Sequence, residues 1–446
     1  MSQRLNSREF TENLLDIALA NARLSPVDRG LCHELVCGTV RWQATLDCLI
    51  ARKTDPAREL RPALRNLLRL GLYQIFWLDR IPPHAAVHAT VEEAKRAGYH
   101  SQAGMINAVL RAYLRETDEV KKILADMKIS QPALGWSHPE WLVEKWQKNF
   151  GEDKTRALLE WNNTPPKTFA RVNTLKFGGA RHSVRAERQQ AEDGARGATR
   201  PTAAGDLLTR WREENVEYDF ITRDWTGENL VFELKSFPSL SSLPTFRDGW
   251  FYLQDPSTLL APALLGATPG ETILDMCAAP GGKTTFIAQQ MNNEGKIVAE
   301  DIFPDRLKLI SENCTRLGVT CVEPALPSSI LHPPSSFFDR ILVDAPCSNT
   351  GVLRRRVDLR WRISADEISR LQKTQLELLN QAATKLKFGG VLVYSTCSLE
   401  PEENSEVIKD FLAANKNFQL ETERQLLPFA DNVDGAFVAK LISTRR

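Results

Sequence analysis

The feature that most constrains the fold is a regular alternation of strand-like and helix-like segments from residue 254 onward. Thr272–Asp275, Lys296–Glu300 and Ile341–Val343 are short aliphatic runs, and each leads into polar residues or into a turn marked by proline or glycine. Helical segments separate these runs, which is typical of buried parallel strands covered by helices. The alternation predicts an α/β doubly wound sheet, in which the loops after the strands form the ligand crevice.

A loop of small residues follows the first of these strands and leads into a helix. It runs from Cys277 to Thr285 with the letters CAAPGGKTT, and small residues let backbone amides approach a ligand at a helix N-terminus. The loop is not a P-loop, because Cys277 stands where that motif requires glycine, and the pattern G-x-G-x-x-G is absent from the sequence. Asp301 follows the second strand, where an acid can accept hydrogen bonds from ribose hydroxyls. These features predict a nucleoside-bearing cofactor.

Two cysteines follow consecutive strands of the same region. Cys347 comes three residues after Asp344 in the phrase Asp-Ala-Pro-Cys, and Cys397 follows the strand Val391–Tyr394. Each cysteine alone is more often a buried structural residue than a reactive one. Because the ends of parallel strands share one crevice, two thiols beside a strand-end acid and a cofactor loop favour catalysis. The residue pattern alone does not assign separate roles to the two thiols.

The N-terminal third, from Arg8 to about Arg115, has apolar residues at helical spacing. Over 64–76 they recur every three or four positions, and a Pro-Pro pair at 82–83 separates that helix from the next. Strand-like alternation is absent from this part of the sequence, which predicts an all-helical bundle. A solvated basic surface and an RNA site both fit the arginines of its polar faces. These arginines are Arg61, Arg65, Arg69 and Arg80.

Residues 131–253 predict a small α+β module, with a capped helix near Pro139 and a strand at Phe169–Asn173. Within it, residues 181–205 contain five arginines and a single large aliphatic residue, Val184, so this insert cannot bury a core. A flexible surface loop, an RNA-contacting arm and a reading-frame scar all remain open, and we assign the insert no function. The expected domains are therefore 1–130, 131–253 and 254–446.

Composition and charge narrow the class of protein. The chain has 446 residues and a formal net charge of +1, so any RNA binding must rely on local basic patches. Its eight cysteines form no Cys-x-x-Cys pair, which argues against a zinc site and against a disulfide scaffold. The N-terminus lacks the apolar core of a signal peptide, and no window approaches the roughly 20 apolar residues of a membrane helix. We expect a soluble, cytoplasmic, metal-free monomer.

Several phrases of the sequence resemble known families. At the N-terminus, Cys37–Arg41, Gly71–Gln74 and Arg80–Val87 resemble the NusB-like antitermination domain, in particular the version that precedes bacterial rRNA methyltransferases. Four later phrases closely resemble the RNA cytosine-C5 methyltransferases, and the helical N-terminus narrows the resemblance to the Sun/Fmu (RsmB) type. The four phrases are Asp275–Thr285, Asp344–Ser348, Tyr394–Ser398 and Pro401–Asn404. The resemblance covers nearly the whole chain except the 181–205 insert.

The resemblance implies a fold and an activity. The implied fold is multidomain, with an all-α NusB-like RNA-binding bundle, a small α+β module and a C-terminal α/β Rossmann-like methyltransferase domain. The implied activity is methyl transfer from S-adenosyl-L-methionine to carbon 5 of one cytosine in 16S rRNA, or in a small-subunit precursor, through a covalent cysteine–cytosine adduct. Methylation of tRNA or another RNA is one alternative, and a non-catalytic RNA-binding assembly factor is another.

The same resemblance implies roles for individual residues. Cys397 is the implied nucleophile, and Cys347 is implied to help release the product. Asp344 is expected to hydrogen-bond the cytosine, while Lys283 orients Asp344 or the substrate. The basic run Arg354–Arg356 suits the RNA backbone. The expected cofactor-binding residues are Cys277, Ala278, Ala279, Pro280, Gly281, Gly282, Lys283, Asp301 and Asp344.

The sequence departs from the family pattern at two places. Ala325 stands where the family carries an acid that contacts the adenine amine of the cofactor, and whether Glu323 substitutes for that acid stays open. The family phrase Arg-His-Pro-Asp appears as Arg-Arg-Val-Asp at 355–358. Because Asp358 and Trp361 persist, we expect the role of this loop to survive.

Overall fold

The computed structural model describes residues 10–20, 22–55, 59–177, 203–327 and 337–444. The described residues form two compact units, one from 1–165 together with 352–363 and one from 166–351 together with 364–446. The expected domain boundaries at 130 and 253 stay a prediction. Of the predicted insert, 181–202 lies outside the described residues, whereas 203–205 begins a helix.

In the described part of the chain, ten consecutive helices precede the first strand, and helices and strands alternate in the region after residue 254, as the sequence predicts. The helices are α1 (Thr11–Leu19), α2 (Pro26–Arg41), α3 (Gln43–Lys53), α4 (Pro62–Trp77), α5 (Pro83–Arg96), α6 (His100–Arg115), α7 (Thr117–Ser130), α8 (Pro132–Gly135), α9 (Glu140–Phe150), α10 (Glu152–Asn162), α11 (Ala203–Glu213), α12 (Pro244–Arg247), α13 (Leu260–Leu265), α14 (Gly282–Gln290), α15 (Pro304–Leu317), α16 (Ala365–Lys385), α17 (Ser405–Ala414) and α18 (Pro428–Asp431). The strands are β1 (Thr168–Val172), β2 (Glu217–Ile221), β3 (Val231–Ser236), β4 (Phe251–Leu253), β5 (Thr272–Met276), β6 (Lys296–Glu300), β7 (Val322–Ala325), β8 (Phe338–Asp344), β9 (Leu386–Thr396), β10 (Phe418–Leu426) and β11 (Ala436–Ser443). Within the described ranges, none of the helices is long and apolar enough to cross a membrane.

The helical unit contains α1–α10 and the segment 352–363, which confirms the predicted all-helical bundle. Its core lies between α3, α4, α5 and α6, whose apolar residues recur at the spacing that puts them on one helix face. Gly71 permits close packing of α4 on α6, because a Cβ at this position would lie 2.8 Å from the Leu110 side chain. Fully buried core residues include Leu46, Leu49, Leu68, Leu72, Ile106 and Leu110.

Arg69 is not on the exposed polar face where the sequence analysis placed it. Its side chain is buried, and its guanidinium forms a bidentate ion pair with Asp47. The distances are 2.7 Å from Nε to Oδ1 and 2.5 Å from Nη2 to Oδ2. Nη1 also donates to Asn66 Oδ1 at 3.0 Å. The placement of Arg69 on a polar face was therefore wrong, because the bidentate ion pair ties Arg69 into the packing of α3 against α4. Arg61 and Arg80 are exposed.

In the second unit, a small antiparallel sheet has the strand order β2-β3-β1-β4. Trp211 of α11 packs edge-on against Phe232 and Phe251 and closes the core of this sheet. Arg171 of β1 is fully buried and donates to Gly282 O at 2.7 Å. It also donates to Thr285 Oγ1 at 3.0 Å, so the small sheet supports the start of α14.

A seven-stranded sheet with the order β10-β11-β9-β8-β5-β6-β7 forms the centre of this unit. Strands β5 to β9 pair in parallel, and β11 runs antiparallel between β9 and β10. This order confirms the predicted Rossmann-like α/β sheet. A helix that the Gly389-Gly390 pair would be expected to end stops earlier, at Lys385, because the glycine pair lies inside β9, where the pairing with β8 shifts register.

Candidate active site

The two strand-end thiols lie next to each other. Strands β8 and β9 are parallel neighbours with Asp344 opposite Ser395, so their following loops leave the sheet at the same edge. Cys347 Sγ lies 3.4 Å from Cys397 Sγ, and the Cys397 thiol donates to Asn349 Oδ1 at 2.9 Å. Since Cys397 has one S–H and Asn349 accepts it, Cys347 is the donor between the two sulfurs.

The surroundings of Cys347 disfavour its thiolate. The hydrogen bond to Cys397 is the largest cause, followed by desolvation, and together they raise the pKa of the Cys347 thiol well above its ordinary value. The nearby carboxylate of Glu403 acts in the same direction. Cys347 is therefore a protonated thiol in the resting protein.

Lys283 and Asp344 form an ion pair at the base of the crevice. Lys283 stands in the first turn of α14, and its Nζ lies 2.6 Å from Asp344 Oδ2 at the end of β8. Burial by itself lowers the pKa of the lysine, but the Asp344 carboxylate outweighs it, so the pKa of Lys283 is raised and its ammonium stays charged. Cys397 interacts electrostatically with this ammonium as well, which places a cation beside that thiol.

The Glu403 carboxylate connects the two loops that carry Cys347 and Cys397. Its side chain is fully buried, with Oε1 accepting from Ser348 N at 2.8 Å and from Gln375 Nε2 at 3.0 Å. The other oxygen, Oε2, accepts from the Ser348 hydroxyl and, at 2.5 Å, from the Ser398 hydroxyl. One carboxylate thus joins the loop after β8 to the loop after β9, and burial raises its pKa. In the sequence analysis Glu403 appears only within the family phrase Pro401–Asn404, without a role of its own.

The small-residue loop after β5 turns sharply before α14. Cys277 and Gly281 both have positive φ, at 61° and 96°, and the Ala278 amide donates to Glu300 O at 2.8 Å. A Cβ at Gly282 would lie 3.1 Å from the Tyr252 ring, so a side chain there would narrow the crevice. The loop therefore presents backbone rather than side chains, which suits the close approach of a ligand.

Three carboxylates converge on this loop from adjacent strands. Asp275 of β5 is fully buried and accepts from Thr284 Oγ1 at 2.6 Å, and burial raises its pKa to about 7. Burial together with Asp344, Asp301 and Asp275 raises the pKa of Cys277 to about 12. Such a cluster of acids around a small-residue loop fits a cationic nucleoside, so these residues fit S-adenosylmethionine, which carries a sulfonium and an ammonium.

Asp301 lies at the end of β6, where the sequence analysis expected it. Its carboxylate accepts from the Ala279 amide at 3.3 Å and pairs with Arg306 Nη1 at 3.2 Å. On the next strand, Ala325 ends β7, whereas Glu323 points to solvent and pairs with Lys296 at 2.5 Å. Glu323 is thus held in a surface ion pair. Among the described residues, no cluster of three His, Cys, Asp or Glu side chains could hold a metal ion.

The basic run after the cysteine loop belongs to the helical unit. Arg354 is 2% exposed and its guanidinium stacks over the Trp161 ring at 4.1 Å, so its expected contact with the RNA backbone was wrong. Asp358 is fully buried, accepts from the Thr11 amide at 3.2 Å and pairs with Arg362 at 2.9 Å. Trp361 Nε1 donates to Val40 O at 3.0 Å, so this segment packs into the bundle.

Comparison with known proteins places this architecture in a family. The 16S rRNA methyltransferase RsmB/F model matches residues 262–442, and the NusB family model matches 1–115. The ferredoxin-like domain model of RsmF/B-like methyltransferases matches 138–192. The Synechocystis "Probable ribosomal RNA small subunit methyltransferase B" is 36% identical, covering 98% of this chain and 96% of the relative. The chain belongs to the RsmB/F family of 16S rRNA methyltransferases.

Other RsmB/F relatives agree over nearly the full length. The Escherichia coli ribosomal RNA small subunit methyltransferase B is 35% identical, covering 94% of this chain and 92% of that protein. A solved structure, a methyltransferase homologue from Pyrococcus horikoshii, is 30% identical with a TM-score of 0.56 and covers 70% of this chain and 97% of its own. The RsmB/F membership and the NusB-like resemblance predicted from sequence are confirmed. The strand-end phrases of the crevice all lie within the RsmB/F match.

Proposed function

We propose that this RsmB/F member transfers a methyl group from S-adenosyl-L-methionine to carbon 5 of a cytosine in 16S rRNA, with Cys397 as the nucleophile. The observation that carries the proposal is the pair of thiols, 3.4 Å apart, at the ends of two neighbouring parallel strands. A single thiol suffices for a structural role, whereas forming and breaking a bond to the same base needs a nucleophile and a partner that manages protons.

Carbon 5 of cytosine is a weak nucleophile until a thiolate adds to carbon 6. In the proposed reaction, Cys397 loses its proton and its sulfur bonds to carbon 6, which makes carbon 5 electron-rich. Bound S-adenosylmethionine supplies the electrophilic methyl group. Loss of the proton on carbon 5 and departure of the Cys397 sulfur from carbon 6 then restore the aromatic ring. Because no net oxidation occurs, the chain needs no metal or redox group for this step.

The ion pair of Lys283 and Asp344 serves the first half of the reaction. The Lys283 ammonium lies within electrostatic range of Cys397, so it can stabilise the negative charge that this sulfur carries when it attacks. Asp344 is 31% exposed in its side chain, so one face of its carboxylate remains open to accept a hydrogen bond from the cytosine amino group. Lys283 holds that carboxylate in place at 2.6 Å.

Cys347 serves the second half of the reaction. Its hydrogen bond to Cys397 is the largest cause of its raised pKa. When Cys397 attacks as a thiolate, its sulfur is a strong acceptor for the Cys347 S–H. Once Cys397 is bonded to the base, its sulfur is an uncharged thioether and a weaker acceptor than that thiolate. The pKa of Cys347 therefore falls at the stage when a proton must leave carbon 5, and this makes Cys347 the residue for product release.

The cofactor would lie against the loop Cys277–Lys283. The backbone of Ala278, Ala279, Pro280, Gly281 and Gly282 offers close approach. Asp301 would accept hydrogen bonds from the ribose. A target base must leave its stack to enter a crevice of this kind, so the substrate cytosine is expected to be unpaired or extruded.

The test is methyl transfer from labelled cofactor to 16S rRNA that lacks the modification. Wild type should transfer the label to a cytosine, and Cys397→Ala should reduce turnover by at least about a thousandfold, the order expected for loss of a nucleophile. Cys347→Ala should instead accumulate a covalent protein–RNA complex that survives denaturing electrophoresis, because the adduct forms but does not resolve.

Cys321→Ala is the matched control, since this half-buried thiol lies at the start of β7. It should behave as wild type and give no trapped complex. Full turnover in Cys397→Ala would overturn the assignment of the nucleophile. A wild-type protein that binds rRNA without transferring label would support an RNA-binding assembly factor instead, and transfer to tRNA alone would change the substrate but not the chemistry.

A further inference from the structure

The helical unit carries a groove of about 460 Å³ whose walls combine aromatic rings and cations. It lies between the end of α4, the last turns of α7 and the short helix α8. Its aromatic and cationic lining residues include Trp42, Trp77, Lys121, Lys128, Trp136 and Arg156. We call this surface the tryptophan groove.

The three tryptophans form a continuous aromatic wall. Trp42 lies 5.0 Å from Trp77 and 6.4 Å from Trp136, measured between ring centroids. Trp42 is buried, whereas Trp77 and Trp136 are half-buried and line the groove. Tyr73 stacks on Trp77 at 5.9 Å between ring centroids, so Trp136 is the ring with more room for a ligand. Rigid, partly exposed rings of this kind are the surfaces on which nucleic-acid bases stack.

A glycine makes this wall possible. A Cβ at Gly135 would lie 2.4 Å from the backbone nitrogen of Lys128 and 2.5 Å from the carbonyl of Met127. Only glycine therefore lets α8 pack directly on the backbone of α7. That close approach brings Trp136 beneath Lys128, whose Nζ lies 4.3 Å from the ring centroid.

The charge of the groove is one-sided. Lys121, Lys128 and Arg156 line it, and no Asp or Glu side chain of the described part of the chain is among the lining residues. Arg156 pairs with Asp153 at 3.4 Å, but Asp153 is 95% exposed, so water and salt screen that pair. The interaction of Glu160 with Lys128 is a longer-range electrostatic one. Three cations beside stacked aromatic rings complement a polyanion that also carries planar bases.

We propose that the tryptophan groove binds a single-stranded segment of the RNA substrate, with one base stacking on Trp136 as the Lys128 ammonium, which lies over that ring, moves to the edge of the base. Lys121 and Arg156 pair with the phosphates on either side of that base, and Lys128 hydrogen-bonds its edge. The inference rests on the proposed function, because that function supplies RNA as the substrate. It assigns the helical unit a defined contact surface rather than a general affinity for RNA.

The experiment measures binding of the full-length protein to a short fluorescent single-stranded oligouridylate and to 16S rRNA transcript, across a salt series. The groove variant is Lys121→Ala with Arg156→Ala. The matched control is Lys122→Ala with Lys154→Ala, which removes the same charge from exposed residues next in sequence or two away. Two lost phosphate contacts should reduce the slope of log Kd against log salt by about 1.4 for a single strand. The control pair should leave the slope near that of wild type.

Substitutions of Trp136 distinguish base stacking from electrostatic attraction. Trp136→Leu should weaken oligouridylate binding at least about fivefold, whereas Trp136→Phe, which keeps a stacking ring, should recover most of the affinity. Circular dichroism and thermal melting of each variant verify the fold. Equal losses in Trp136→Leu and Trp136→Phe would contradict stacking.

The outcomes separate this inference from the proposed function. Suppose that the wild type transfers methyl groups and that the groove variant binds both RNAs as tightly as the matched control variant does. The groove then does not hold RNA, and the proposed function stands. A protein partner would give this result. If wild type binds RNA through the groove but transfers no methyl group, the proposed function fails and the groove assignment stands. If the wild type is active, the variant Lys121→Ala with Arg156→Ala should have a KM for the transcript that is raised by the same factor as its Kd.

Discussion

Cys347 and Cys397 are the same side chain at the ends of neighbouring parallel strands, and both are half-buried. Cys397 faces the Lys283 ammonium and donates its proton to the neutral amide of Asn349. Cys347 faces the sulfur of Cys397 and the Glu403 carboxylate, both of which disfavour its thiolate. The comparison teaches that the neighbouring charges, rather than the strand ends themselves, distinguish the two thiols and support the proposed division of roles.

Among the neighbours of the two thiols, we expect the largest effect from removing the Lys283 cation. Lys283→Met keeps most of the side-chain length but removes the charge beside Cys397 and leaves Asp344 without its partner. We expect kcat to fall about a hundredfold or more, the scale of losing one well-placed electrostatic group. Methyl-transfer kinetics measure this fall in kcat. When Lys283→Met is combined with Cys347→Ala, less covalent protein–RNA complex should be trapped than with Cys347→Ala alone, because adduct formation is the step affected.

Lys373→Met is the control, since Lys373 is an exposed residue of α16. It should leave kcat within about twofold of wild type, as surface substitutions usually have little effect. If Lys283→Met and Lys373→Met behave alike, the cation does not distinguish the two thiols. An undiminished yield of trapped complex would place Lys283 in a later step.

The sequence predicted the strand ends because parallel pairing follows from aliphatic runs and helical crossovers. Lys296–Glu300 has the predicted bounds of β6, and the helix opened by Pro304 closes at Gly318, whose φ is 70°. Lys283 and Asp344 also lie together, although their roles remain a prediction. These features depend on local patterns that short segments carry by themselves.

The parts that sequence reasoning missed depend on distant packing. Asn349 accepts from Cys397, and the only local signal was its place in an Asn-Thr-Gly turn with φ of 58°. Glu403 looked like an ordinary acid at a helix start, whereas its partners come from both cysteine loops. Arg354 looked like part of a basic run that suits the RNA backbone, but its partner Trp161 lies on α10, far away in sequence. Neighbouring residues cannot reveal such partners.

A second prediction sharpens the comparison through pH. Burial and the hydrogen bond to Cys397 raise the pKa of Cys347, so at pH 8 little of it is thiolate. Cys397→Ala removes the largest cause, and the pKa of Cys347 should fall while remaining raised by burial. Since alkylation requires the thiolate, a fall of one unit increases its rate at pH 8 about tenfold. Iodoacetamide labelling followed by peptide mass spectrometry measures this rate over a pH series.

Cys277 provides an internal control in the same sample. Its pKa is raised to about 12 by burial and by Asp344, Asp301 and Asp275, none of which changes in Cys397→Ala. Its labelling rate should therefore stay constant. An unchanged rate for Cys347 would mean that desolvation alone holds its proton. A parallel rise at Cys277 would mean that the substitution has loosened the whole crevice.

The smallest expected effect concerns the amide that links the two loops. Asn349 belongs to the loop of Cys347, accepts from Cys397 at 2.9 Å and donates to Cys347 O at 2.6 Å. Asn349→Gly removes both contacts while keeping a residue that tolerates positive φ. A thiol is a weak donor, so we expect kcat to change only about threefold. Asn349→Ala removes the same contacts but also strains the backbone, so the difference between the two variants measures the turn rather than the hydrogen bond. A drop in Asn349→Gly as large as that in Lys283→Met would show that the amide distinguishes the two thiols as strongly as the cation does.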